Sequence, residues 1–190
     1  MARPAHMTLV RHGETVGESS IRYHGRNDVV LSQKGRSQAE ALKESLVLDV
    51  DCVVASPLAR AWQTATILMP ERSIEIEDSF AEIDFGRWEG LTREEIAVLD
   101  PALFEVWQER PLEVEFPEGE RKADFKRRVE GGLQRLLELP AESILVVAHK
   151  GVVRGIAEGL TGEVLPDAIP DLGEAVAVRL QEDGKWVLEP

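Results

Sequence analysis

Apolar positions along the chain fall into two rhythms that alternate from one end to the other. Short runs rich in Val, Ile and Leu occur at MTLVR (7–11), DCVVAS (51–56) and SILVVA (143–148). Unbroken runs of this kind predict strands buried on both faces. SIEIED (73–78) alternates, which predicts a further strand, and AVAVRLQEDGKWVLE (175–189) reads as a hairpin turning at Asp183-Gly184. Helical spacing fills the intervals. Ser32 ahead of KGRSQAEALKESL predicts an N-capped helix with Ala39, Leu42 and Leu46 on one face. LARAWQTATILM follows Pro57 and stops before Pro70. Thr92, Glu94 and Glu95 open a helix in TREEIAVLD, and Asp100-Pro101 separates it from ALFEVWQER. RPLEVEFPEGE reads as a loop. ADFKRRVEGGLQRLLEL predicts a long helix weakened at Gly131-Gly132, and GVVRGIAEGL a helix after the clearest strand.

This alternation predicts an α/β fold: three α/β/α layers around a mostly parallel central sheet. The 190 residues suit one domain over 1–190, with a helical insertion at about 91–118. In such sheets ligands sit beyond the carboxyl ends of the strands. The residues to weigh are therefore Arg11-His12-Gly13, Ser56 through Arg60, the region of Glu82, and His149-Lys150-Gly151.

Charge narrows the choice of partner. The formal net charge is −13, which argues against nucleic acid and anionic membranes. No apolar run reaches the roughly 20 residues needed to span a bilayer. With no signal-peptide pattern in MARPAHMTLVRHGE, a cytoplasmic location is expected. The single cysteine, Cys52, lies in an apolar run and is expected to be a buried structural thiol. An acidic protein that binds an anionic substrate needs a local cationic cluster.

LVRHG and VVAHKG supply the parts for one. Both are apolar strands that end in His and reach Gly. A neutral imidazole at a strand end can attack phosphorus, and a second can donate a hydrogen bond to a phosphoryl oxygen. Arg11 and Arg60 carry guanidinium forks that match phosphate oxygens. Glu82, set among apolar neighbours in FAEIDFGRWEG, is the candidate proton donor for a leaving alkoxide. The four histidines include no helical pair flanking a Glu, and there is no Cys cluster, so no metal site is expected. Trp62, Trp88 and Trp107 read as packing residues.

LVRHGET, HGRNDVVLSQKGRSQA, SPLARAWQTA, EIDFGRWEG and VVAHKGVVR stand in the order and approximate spacing of the histidine phosphatase, or phosphoglycerate-mutase-like, superfamily. The resemblance covers roughly residues 7–156. It implies that His12 is the phosphorylated histidine and that Arg11, Arg60 and His149 complete the phosphate pocket. It also makes Glu82 the acid/base carboxylate. His24-Gly25 falls on a loop that touches substrate in relatives, and Thr15 lies near the same pocket. The implied reaction forms phosphohistidine, then hydrolyses it, without metal or organic cofactor. The expected partner is a small phosphorylated metabolite, with a homodimer left open.

The chain departs from the pattern in places. Gly17-Glu18 replaces the Trp-Asn of many relatives, and Lys150 stands where Gly is usual. Ile83 replaces the Arg that mutases carry after the acid Glu. Ile83 and the short length favour a phosphatase over a mutase, and FGRWEG and FPEGER resemble the short phosphatases, the α-ribazole type included. The other readings are a phosphoglycerate-mutase-type transfer and a phospho-ligand binding module that has lost catalysis.

Overall fold

The computed structural model describes residues 3–46, 49–111 and 113–189. The buried runs become β1 (His6–Arg11), β2 (Cys52–Ala55) and β4 (Ser143–Ala148); β3 (Glu75–Ile76), β5 (Ala175–Leu180) and β6 (Trp186–Leu188) complete a six-stranded sheet. Its order is β3-β2-β4-β1-β5-β6. The first four strands in that order run parallel, while β5 is antiparallel to both β1 and β6. The sheet is thus mixed and mostly parallel. Both central strands, β4 and β1, are hydrogen-bonded on each side.

Side-chain alternation sorts two cores onto the two faces. Met7, Leu9, Ile144, Val146 and Ala148 point to one side, against α5 (Lys122–Glu138) and α6 (Lys150–Thr161). Val10, Val53, Ala55, Leu145 and Val147 point to the other, against α2 (Ala59–Leu68), with α1 (Gln33–Ser45) alongside it. Each of these side chains, taken fully out of water, contributes about 1.5–3 kcal/mol for the larger aliphatics. Register is therefore strongly specified: a slip of one residue would exchange the two cores.

Local signals act as expected at most ends. The Ser32 hydroxyl accepts the Gly35 N–H and caps α1. Thr92 and Glu95 form a reciprocal capping box on α3 (Arg93–Leu99), and Pro101 begins α4 (Pro101–Glu109). Two expectations change. The alternating segment yields only a two-residue edge strand, because the Glu77 carboxylate accepts the Ser79 N–H and turns the chain into a 3-10 turn, Asp78–Phe80. The helix α5 runs unbroken through Gly131-Gly132. A Cβ at Gly132 would lie 2.4 Å from the Phe80 ring, so glycine there permits close packing rather than a break.

A third cluster forms around Trp88, with Ile83, Ile96, Val114 and Phe116 buried and Tyr23, Phe85 and Trp107 packed on it. Trp88 Nε1 donates to Asp100 (2.7 Å), which also pairs with Arg87. The stretch 91–118 carries α3 and α4 onto this cluster. Trp88 and Trp107 pack as expected; Trp62 is 39% exposed on α2. Cys52 is half-buried against the α5–α6 core, and burial pushes its thiol up to about 11.

Candidate active site

The carboxyl ends of β1, β2 and β4 converge with the chain that follows β3. Arg11 closes β1, and the His12 N–H continues the ladder onto Ala148 O (3.0 Å). His149 follows β4 directly and is the N-cap of α6. Arg60 enters from the first turn of α2, just after β2. Glu82 follows the 3-10 turn beyond β3. A cavity of about 460 Å³ opens here, bordered by Arg11, His12, His24, Glu82, Lys150 and the 19–23 loop, with Phe85, Asp171 and Leu172 on its outer wall.

His12 is 4% exposed. Its Nδ1 lies 2.7 Å from the Gly13 carbonyl, and its Nε2 accepts from Arg60 Nε at 3.2 Å. A carbonyl on one nitrogen and a donor on the other specify the Nδ1–H tautomer, so Nε2 carries the lone pair. Burial, then the charge of Arg60, holds the imidazole well below its ordinary value of 6.5. It is neutral at physiological pH.

Arg60 is fully buried. Its Nη1 donates to Asn27 O (2.8 Å), and Nη2 donates to the carbonyls of His24 (2.9 Å) and Gly25 (2.8 Å). Burial lowers it to about 10, offset in part by Glu82, so it stays charged at neutral pH. Arg11 donates to Pro170 O (3.2 Å) and lies 3.6 Å from Asp171, while its buried Nε has no partner. The His149 ring stands 5.1 Å from that of His12, centroid to centroid. Its Nε2 meets Ser56 Oγ at 2.7 Å, and Ser56 Oγ accepts the Leu58 N–H (3.3 Å). With the Ser56 hydroxyl donating to Nε2, Nδ1–H is a buried donor without a partner. Burial, then Arg60, also holds His149 well below 6.5.

Glu82 is 8% exposed. Its two oxygens accept the N–H groups of Ile83 (3.0 Å) and Gly151 (3.3 Å). The Glu82 carboxyl, the Arg11 guanidinium and the His12 imidazole thus border one pocket, with Arg60 and His149 packed against His12 behind it, a set suited to binding a phosphoryl group and passing a proton beside it.

A sequence model of the histidine phosphatase superfamily, branch 1, matches residues 7–189. The chain belongs to the histidine phosphatase superfamily. Phosphoserine phosphatase 1 of Hydrogenobacter thermophilus is 34% identical over 160 residues, 82% of this chain and 76% of that one. The 2-carboxy-D-arabinitol-1-phosphatase of Triticum aestivum is 33% identical, matched over 80% of this chain and 32% of its own length. Among solved structures, the alpha-ribazole phosphatase of Shigella flexneri superposes with a TM-score of 0.83 at 27% identity, over 97% of this chain and 94% of that one. These relatives support the expected class, a phosphoric monoester hydrolase. No helix among the described residues is long and apolar enough to cross a membrane.

Within this histidine phosphatase the remaining expected residues take distinct places. His24 lines the cavity; its Nε2 donates to Gly17 O, which leaves Nδ1 as an unpartnered acceptor. Gly25 acts through its backbone, its carbonyl on Arg60. Thr15 is buried beside the cavity rather than on its wall, its hydroxyl bonded to Ser19 Oγ at 2.7 Å. Glu18 turns away: its carboxylate meets Arg22 Nε at 3.4 Å and does not border the cavity. Lys150 does border it, and burial followed by Arg11 and Arg154 lowers its ammonium. Sequence reasoning gave no role to Ser56, which orients His149. It also passed over Arg128, whose guanidinium donates to the carbonyls of Ser79, Ala81 and Glu82 while forking onto Glu120. Ser56 had only its place after a strand to mark it, and the carbonyls that Arg128 serves are distant in sequence.

Proposed function

We propose that this histidine phosphatase hydrolyses small phosphate monoesters in two steps on His12. The observation that carries the proposal is where unpartnered polar groups lie. Among the described residues, the buried side-chain atoms without a hydrogen-bond partner are Arg11 Nε, His149 Nδ1 and His24 Nδ1. Arg11 and His24 border the cavity, and His149 stands against His12. Each orphan costs about 1–3 kcal/mol, which a phosphoryl oxygen on the two donors, and a substrate hydroxyl or N–H on the His24 acceptor, would offset.

In the first step the Nε2 lone pair attacks phosphorus, the ester P–O bond breaks, and Glu82 gives its proton to the departing alkoxide. Gly13 O, bonded to Nδ1–H, supports the positive charge that develops on the ring. In the second step water attacks phosphorus, Glu82 takes its proton, and the N–P bond returns its electrons to Nε2. Arg11 and His149 hold the phosphoryl oxygens in both steps, and Arg60 Nε–H, released from Nε2 as the N–P bond forms, turns to them as well. We read the reaction as metal-independent on the strength of this cationic set, and place it in the cytoplasm on the solitary free thiol, Cys52.

Hydrolysis is favoured over mutase-type transfer because Ile83, buried in the Trp88 cluster, puts no cation next to Glu82. Lys150 adds positive charge at the rim, and the helices of 91–118, read as an insertion, pack on the Trp88 cluster that carries Phe85 to the cavity wall. The test is an alkaline quench of protein turning over a radiolabelled phosphate ester. Wild type should yield an acid-labile labelled adduct and His12→Ala none; an adduct that survives loss of His12 overturns the proposal.

A further inference from the structure

The loop that grips Arg60 is itself held by one carboxylate. Glu89 Oε1 accepts the backbone N–H groups of Arg26 (2.8 Å) and Phe85 (3.0 Å), and Oε2 accepts those of Gly25 and Asn27, both at 3.1 Å. Four peptide donors fill the four acceptor positions of an ionised carboxylate. Two of these peptides also serve Arg60. The N–H of Gly25 shares its peptide plane with the carbonyl of His24, and the N–H of Arg26 shares its plane with the carbonyl of Gly25. A trans peptide directs N–H and C=O to opposite edges. Pinning each N–H to Glu89 therefore turns each carbonyl toward Arg60 Nη2, where both are found. The approach is close: a Cβ on Gly25 would lie 1.9 Å from Ile83 O and 2.4 Å from Glu89 Oε1.

We propose that Glu89 is a positioning residue for the phosphate clamp. By fixing two peptide planes it sets the aim of Arg60, and through Arg60 Nε the placement of His12 Nε2. This rests on reading Arg60 and His12 as the phosphoryl pocket. A residue that merely stiffened the loop would lower activity to the same degree whatever stood at position 60. One that acts through Arg60 loses its effect once that guanidinium is gone.

The experiment is a double-mutant cycle of Glu89→Gln with Arg60→Ala. Its readouts are orthovanadate binding by calorimetry, kcat/KM on p-nitrophenyl phosphate, and the Tm of each protein. Glutamine keeps one acceptor oxygen and sets an NH2 against the remaining peptide donors. In the native background Glu89→Gln should weaken vanadate binding and kcat/KM by about tenfold, and in the Arg60→Ala background by less than about twofold. Equal losses in both backgrounds overturn the proposal, as does unchanged vanadate affinity. If Glu89→Gln does not fold, Glu89→Asp enters the same cycle. Vanadate binding needs no turnover, so a failed phosphohistidine assay leaves this outcome readable.

Discussion

Keeping His12 and His149 buried and neutral carries a measurable cost in acid. In the unfolded chain each imidazole takes up a proton near about pH 6.5. In the folded protein burial, then Arg60, holds both well below that value. Below the unfolded value the unfolded state therefore binds up to two more protons than the native state. The stability associated with the pair is intact above that value and declines as pH falls. Each extra proton tilts the balance toward unfolding by about 1.4 kcal/mol per pH unit. Integrated from about pH 7.5 to about pH 5.5, the two imidazoles remove about 2.7 kcal/mol, provided both stay unprotonated in the native state. For a chain of this size that is about 5–11 °C in Tm. Other groups titrate over the same range, so the reference is the double variant His12→Gln/His149→Gln, which keeps them and lacks the imidazoles. Urea unfolding of both proteins across that pH range gives the answer. Wild type should lose about 2.7 kcal/mol relative to the variant. A difference that stays constant to within about 0.5 kcal/mol would refute the claim that the folded protein holds both rings neutral.

Three further outcomes are expected. Glu82→Gln should lower kcat by about 10²–10⁴ on alkyl phosphates and much less on p-nitrophenyl phosphate, whose leaving group needs no proton; equal losses would remove Glu82 as the acid. Arg60→Lys should lower kcat by about 10²–10³, since a point charge cannot serve His12 and three carbonyls together; steady-state kinetics within about threefold of wild type would contradict this. Trp88→Ala, at the centre of the third cluster, should cost about 3–5 kcal/mol, and a thermal melt lowered by less than about 3 °C would show that the cluster contributes little.

The strand and helix order was legible because burial on both faces leaves unbroken apolar runs, and the candidate site followed because such runs end at the edge where the cavity opens. His12 and His149 were readable as strand-terminal residues. The alternation of SIEIED showed β3 but not how short it is, since the turn of Glu77 onto Ser79 competes with an edge ladder that has only one neighbour. Gly131-Gly132 was misleading for a related reason: the helix penalty of glycine is local, while the Phe80 ring that requires Gly132 lies far off in sequence. Glu89 was the hardest to see. Its partners are backbone amides, which every residue carries, so no side-chain pattern announces them.

The cavity has two ends built from different stretches of chain. Arg11 and His12 border the inner end, with Arg60 and His149 buried against the His12 ring behind it. The outer wall takes Ile21, Phe85 and Leu172 from three separate loops, and their apolar side chains form no hydrogen bond with the inner set. On the proposed reaction, changes at Ile21 and Leu172 can retune which alcohol is held, whereas Phe85, whose N–H is bound by Glu89, stays tied to the loop that grips Arg60.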